Sequence, residues 1–294
     1  MNASDLPGWR VKSGTYDSSG LNLHYLDVQR DRPQRDGRTL LAVHGIGANG
    51  DSWLPTIRRL NAVDRVIAPD LRGHGMSSWT QDGYWLRDYA DDIVRLVERL
   101  GLERIDLIGM SMGARIAMLL GSRLAPLLTT VAFVDTGPEV TRESARKARE
   151  FAPAAPRGGG RTDGFRDSDE LMRFLNAKWI GFEPEALEIR ADSLYRRNWA
   201  GRLVHRGDPE TSWYLGSAGL KEVDEMWKCL HEIPVETLII HASQSFLLDE
   251  SLCERMIAAL RKPVYRQLDV DHFMMHTHID VFSALVDDFL ESTR

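Results

Sequence analysis

Ser111 sits in Gly109-Met110-Ser111-Met112-Gly113, and the residues on either side determine how it is displayed. Ahead of it, Ile105, Leu107 and Ile108 form an apolar run of strand length. Behind it, Ile116, Ala117, Met118, Leu119 and Leu120 read as a buried helix with Gly121 near its end. A serine between strand and helix requires a sharp turn, and flanking glycines remove the Cβ atoms that would clash there. Such a turn lifts the Ser111 hydroxyl clear of a sheet. It also leaves the Met112 amide at a helix N-terminus, free to donate to an oxyanion. The chemistry this implies is nucleophilic attack, which needs a base in hydrogen-bond reach and a carboxylate to orient the base.

The elements around this turn follow a regular rhythm. Residues 9 to 28 alternate polar and apolar side chains around a turn at Ser18-Ser19-Gly20, an antiparallel hairpin at a sheet edge. Leu40 to Val43, Val66 to Ala68 and Thr130 to Val134 are buried strands. Between them, Leu86, Tyr89, Ile93, Val94, Val97 and Leu100 recur at helical spacing, with Gly101 as the stop. Strand and helix alternate as in a parallel α/β sheet. The rhythm breaks from 137 to 232, where helical pattern (Leu171, Met172, Leu175 and Trp179 on one face) runs without a convincing strand. Pro153 to Gly160 within it is Pro/Gly-rich and reads as a flexible stretch. Strand character returns from Val235 to Ile240, followed by a helix (Leu252 to Leu260), a strand (Val264 to Leu268) and a closing helix carrying Val281, Phe282, Leu285 and Phe289.

With its Gly-x-Ser-x-Gly turn between strand and helix, the chain resembles the α/β-hydrolase superfamily over nearly its whole length. Two further motifs carry the resemblance. His44-Gly45 directly after a buried strand matches the family's oxyanion loop, which makes the Ile46 amide the second oxyanion donor beside Met112. Asp70-Leu71-Arg72-Gly73-His74-Gly75-Met76-Ser77 matches a family signature whose physical content is a glycine-rich turn, with Asp70 and Arg72 satisfying buried backbone groups. The family order Ser, acid, His puts the base at His272, in Asp269-Val270-Asp271-His272-Phe273; His276 and His278 fall at the start of the final helix. The family also implies the fold: a mostly parallel sheet flanked by helices, its core built from 1–136 and 233–294, with a helical lid, 137–232, inserted between two strands.

The acid departs from the family pattern. Its usual slot, in the loop after Ile240, falls on Ser245 or Phe246, and neither carries a charge at neutral pH. Asp249 or Glu250 could replace it, although both suit the cap and first turn of a helix. Asp135, at the end of the preceding strand, is the preferred candidate. Neighbouring parallel strands lie about 4.8 Å apart, so a carboxylate moved by one strand end still meets the same imidazole. Certain lipases of the superfamily, and its cofactor-free ring-cleaving dioxygenases, place their acid there.

The resemblance implies a serine hydrolase acting on an ester, lactone, amide or activated carbon–carbon bond of a small molecule. The nearest pattern is the lidded group of aromatic and heteroaromatic catabolism. Ser111, His272 and Asp135 would form the triad, with no metal or organic cofactor. Lid aromatics Trp179, Tyr195 and Trp199, together with Phe246, are candidate substrate contacts. Trp213, Tyr214 and Trp227 add further aromatics to the span, and Arg196, Arg197, Arg202 and Arg206 suit either an anionic substrate or a solvated face. A cofactor-independent dioxygenase and a non-catalytic ligand-binding relative are the alternatives. Composition bounds the remainder. A net charge of -6 over 294 residues argues against nucleic acid, no run reaches membrane-spanning length, and two cysteines with no apolar leader fit a reducing, cytoplasmic setting. The oligomeric state is left open between monomer and homodimer.

Overall fold

The computed structural model describes residues 6–33, 38–81, 83–151, 164–211 and 221–293, with side chains excepted at 149–151. Strands β1 (Trp9–Ser18) and β2 (Leu21–Arg30) form the edge hairpin, turning at Ser19 and Gly20, both of positive φ. Then come β3 (Thr39–Val43), α1 (Leu54–Arg59), β4 (Arg65–Pro69), α2 (Leu86–Leu100), β5 (Ile105–Met110), α3 (Met112–Arg123) and β6 (Leu128–Val134). Gly101, at φ 59°, caps α2 in the left-handed conformation that its missing Cβ permits. The sheet order is β1-β2-β4-β3-β5-β6-β9-β10, with β9 at Glu236–Ala242 and β10 at Pro263–Leu268. Within this sheet, among the described residues, only the β1–β2 and β2–β4 pairings are antiparallel.

Side-chain alternation along the central strands sorts the core into two layers. Ile105 and Leu107 of β5, Val131 and Phe133 of β6, and Ile239 of β9 face one layer, with α2, α3 and α8 (Glu250–Ala259). Ile108 and Met110, Ala132 and Val134, and Leu238 and Ile240 face the other, with α1 and the closing helix α10 (Ile279–Ser292). On α10 the inward stripe is Phe282, Val286, Phe289 and Leu290, while Val281 stands out in solvent. Both faces of the central strands are covered. This is why they read as apolar runs with no polar alternation.

Between β6 and β9 lie α4 (Arg142–Phe151), α5 (Ser168–Lys178), α6 (Pro184–Leu194), β7 (Tyr195–Arg197), β8 (Leu203–His205) and α7 (Val223–Glu232). The span is therefore not free of strands. β7 and β8 pair as a small antiparallel hairpin whose turn is tied by the Asn198 side chain accepting from the Ala200 and Arg202 amides. Three residues per strand are too few to show alternation, so the hairpin leaves no trace in the hydrophobic pattern. α5, α6 and β7 share a separate small core of Leu171, Leu175, Trp179, Phe182, Leu187 and Tyr195. α7 behaves differently: Met226 and Leu230 join the layer of α2 and α3 on the sheet. Pro153 to Gly160, Trp213 and Tyr214 lie outside the described residues. No helix among the described residues is long and apolar enough to cross a membrane.

Candidate active site

The turn between β5 and α3 is as tight as its glycines imply. Ser111 has φ 54° and ψ -120°, a backbone conformation that costs a non-glycine residue about 1–3 kcal/mol. It is held there by its amide donating to the Val134 carbonyl at 3.0 Å, and by its carbonyl accepting from Ala114 at 2.9 Å. A Cβ on Gly109 would lie 2.2 Å from the Gly113 carbonyl oxygen, and one on Gly113 would lie 2.2 Å from that of Val43. Neither glycine can be replaced without moving backbone.

Facing the turn is the loop after β3. His44 Nε2 accepts from the Leu71 amide at 3.0 Å, which places its proton on Nδ1; Nδ1 then donates to the Gly45 carbonyl at 2.7 Å. Burial, helped by His74, pushes this imidazole down to about 3, so it stays neutral and keeps that tautomer. The Gly45 carbonyl is thus held back toward His44, and Ile46 and Met112 both line the cavity beside Ser111. The Leu71 end is anchored in turn. Asp70 accepts from the Gly50 and Met76 amides, each at 2.8 Å, and contacts His24 at 2.9 Å. Arg72 differs from the sequence expectation. It donates to the Gly83 carbonyl, but its main partner is the Asp92 carboxylate, at 2.6 and 2.7 Å.

Asp135 is completely buried where β6 ends, and its φ of 50° turns the chain sharply there. Its amide donates to the Ile240 carbonyl at 2.8 Å, and its Oδ1 accepts from the Ala242 amide at 2.9 Å. Its Oδ2 accepts from Ser245 Oγ at 2.7 Å and lies 2.7 Å from His272 Nδ1. The structure therefore brings Asp135 and His272 together. Asp249 caps α8 by accepting from the Leu252 amide at 2.8 Å, and Glu250 is an exposed first-turn residue of that helix. Ser245, which the sequence marks only as an uncharged slot, accepts from the Leu247 and Leu248 amides and directs its own proton at Asp135. Phe246 sets its ring 5.0 Å from the His272 ring in an edge contact.

Ser111 and His272 open onto one cavity of about 960 Å³, its mouth included. Two of the four expected substrate contacts, Trp179 and Phe246, line it. The other two do not. Tyr195 packs against Phe165 and His205 inside the small core between β6 and β9, and Trp199 is 98% exposed at the tip of the β7–β8 hairpin. Arg196, Arg197, Arg202 and Arg206 belong to the same hairpin region and stay off the cavity wall. The charged residue that does face the cavity from this span is Arg190, on α6. Helical spacing could have found it, because Arg190 interrupts the buried stripe of Ala186, Leu187 and Leu194. His276 and Arg115 also line the cavity; burial and the neighbouring Arg190 push His276 down to about 3, leaving it neutral.

A Gly-flanked serine on a strained turn, an imidazole paired with a buried carboxylate, and the loop after β3 thus meet at one cavity. Residues 38–279 match the family model of the alpha/beta hydrolase fold, and the chain belongs to that family. Its curated relatives include 2-(acetamidomethylene)succinate hydrolase of Mesorhizobium japonicum, 31% identical over 165 residues. That match covers 56% of this chain and 57% of the relative, so the chain spans just over half of that protein's length. Non-heme chloroperoxidase CPO-A1 of Kitasatospora aureofaciens is 26% identical, covering 76% of this chain and 77% of its own. Among solved structures, E-2-(acetamidomethylene)succinate hydrolase superposes with a TM-score of 0.78 at 23% identity, over 96% of this chain and all of the other.

Proposed function

We propose that this protein is a serine hydrolase of small molecules, of the lidded type found in aromatic and heteroaromatic catabolism. Ser111 Oγ attacks a carbonyl carbon while His272 Nε2 takes its proton. Asp135 holds His272 by Nδ1 and balances the imidazolium as it forms. The Ile46 and Met112 amides receive the oxyanion. His272 then returns the proton to the leaving group, and water repeats the cycle to free Ser111. Every step runs on protein groups and water. The lid in this reading is the span 137–232, from which Val140, Ala145, Ala148, Trp179 and Arg190 line the cavity.

The contact between Asp135 and His272 carries the reading. It supplies the carboxylate that the slot at Ser245 and Phe246 lacks, at the one ring nitrogen that leaves Nε2 free for chemistry. The hydrolase names among the relatives agree with it. A fluorophosphonate probe tests it: one covalent adduct by intact mass, mapped to Ser111 and absent from Ser111→Ala. No adduct, combined with oxygen consumption on a heteroaromatic substrate, would replace hydrolysis by the dioxygenase reaction.

A further inference from the structure

Arg190 has an unusual environment. Its guanidinium is about nine-tenths buried, stacks 4.3 Å above the Trp179 ring and reaches toward the Phe182 ring at 6.0 Å. Its one hydrogen bond among the described residues is a long one, 3.4 Å to the Gly47 carbonyl. Among the described residues no carboxylate pairs with it, whereas the buried Arg38 and Arg72 each hold an aspartate. The groups around it do not cancel this charge, and Lys178 adds to it. Lys178 lies close enough for Arg190 to disfavour its charge, and His276 and His205 feel the same repulsion. Burying a cation without a partner is costly, and apolar replacements of similar volume are often as stable or better. A cation retained under these conditions on the cavity wall has its partner in the ligand.

We propose that Arg190, with the neutral imidazole of His276 beside it on the cavity wall, binds a carboxylate of the substrate at the lid end of the cavity, remote from the bond that Ser111 attacks. The inference rests on this cavity being the substrate site of a serine hydrolase, and it assigns that substrate to the monoanionic carboxylic acids. A planar carboxylate matches the guanidinium fork with two parallel hydrogen bonds. A phosphate dianion would need a richer donor set than the Arg190 guanidinium and the neutral His276 imidazole, which share the cavity wall with the apolar Trp179, Phe273 and Met275 and with a second cation, Arg115. Burial of the guanidinium against Trp179 limits the solvent screening of such a pair.

The test uses mono-4-nitrophenyl esters of succinate, glutarate and adipate against the corresponding methyl 4-nitrophenyl diesters, which keep the length and remove the charge. For at least one chain length, kcat/KM should favour the free acid by about 10- to 100-fold. Arg190→Met should abolish that preference, and Arg190→Lys should leave an intermediate one. The melting temperature of Arg190→Met should not fall. A lower melting temperature with the preference intact would make Arg190 structural and overturn the proposal, as would a wild-type enzyme indifferent to charge at all three lengths. Titration calorimetry of Ser111→Ala with glutarate separates this from the hydrolase reading. Binding that disappears in Ser111→Ala/Arg190→Met supports the carboxylate subsite even if the fluorophosphonate finds no nucleophile. Absence of binding to either variant at millimolar glutarate refutes it even if the nucleophile is labelled.

Discussion

The loops that follow β6 and β9 leave adjacent strands at the same edge of the sheet and serve the same imidazole in opposite ways. The β6 loop supplies charge: Asp135, at positive φ, points its carboxylate across to His272. The β9 loop supplies the surroundings of that charge: the Ala242 amide and the Ser245 hydroxyl donate to Asp135, and the Phe246 ring covers His272. Of the carboxylates on the two loops, Asp135 is the one that meets His272, and its oxygens are fully coordinated. The requirement in such a relay is for a carboxylate at His272 Nδ1. Which strand end delivers it is secondary, because neighbouring strands are closer together than a side chain and its hydrogen bond can span.

Two substitutions set the scale of that comparison. Ser111→Ala removes the group that both loops ultimately serve and should lower turnover by about 10⁶, the loss expected when a triad acts as a unit. Asp135→Asn comes next. Asparagine can still accept from the Ala242 amide, but its NH₂ then faces His272 and favours the wrong tautomer, for a loss of about 10⁴ in kcat. Stopped-flow or steady-state turnover of an activated ester measures both. A loss below tenfold for Asp135→Asn would mean that the β6 loop does not supply the working charge.

The same comparison explains what could be read from the amino acids. Elements with one strong local requirement were legible: the Gly109–Gly113 turn, because no other backbone fits there, and the central strands, because both of their faces are covered. The contact of Asp135 with His272 was legible by an argument from strand spacing and from the lost carboxylate at Ser245 and Phe246. What could not be read depends on tertiary direction. Ser245 looks like a vacancy in the sequence, and its role exists only because β6 ends beside it. Trp199 and Tyr195 look alike in a helical span, yet the hairpin turns one into solvent and the other into a small core. Arg190 carried a signal, a cation within an apolar stripe, that composition alone obscured among the arginines that follow it.

A third variant breaks the division of labour directly. Ser245→Asp in the Asp135→Asn background returns a carboxylate from the β9 side, at a position whose side-chain oxygen already sits 2.7 Å from the Asp135 atom that meets His272. One charge-assisted hydrogen bond restored should recover about 10- to 100-fold of the lost turnover. Recovery would show that either loop can hold the acid. No recovery, with a folded protein by circular dichroism, would show that the orientation set by the β6 turn matters as well as proximity.

The smallest effect concerns Asp249, the other carboxylate of the β9 loop. Its extended backbone and its bond to the Leu252 amide make it the N-cap of α8, and a cap replaced by alanine costs about 1 kcal/mol. In a chain of this size that is a fall of about 2–4 °C in melting temperature. A route from this helix to the site does exist. Leu252 packs so closely on Gly137 that a Cβ there would lie 2.6 Å away, and Gly137 is two residues beyond Asp135. Yet the bonds that fix Asp135 come from Ile240, Ala242, Ser245 and His272, all outside α8. Asp249→Ala should therefore melt earlier and keep the kcat/KM of the parent. A tenfold loss of kcat/KM at a temperature where the variant is fully folded would place part of the relay's support in α8, and the separation of charge from scaffold between the two loops would no longer hold.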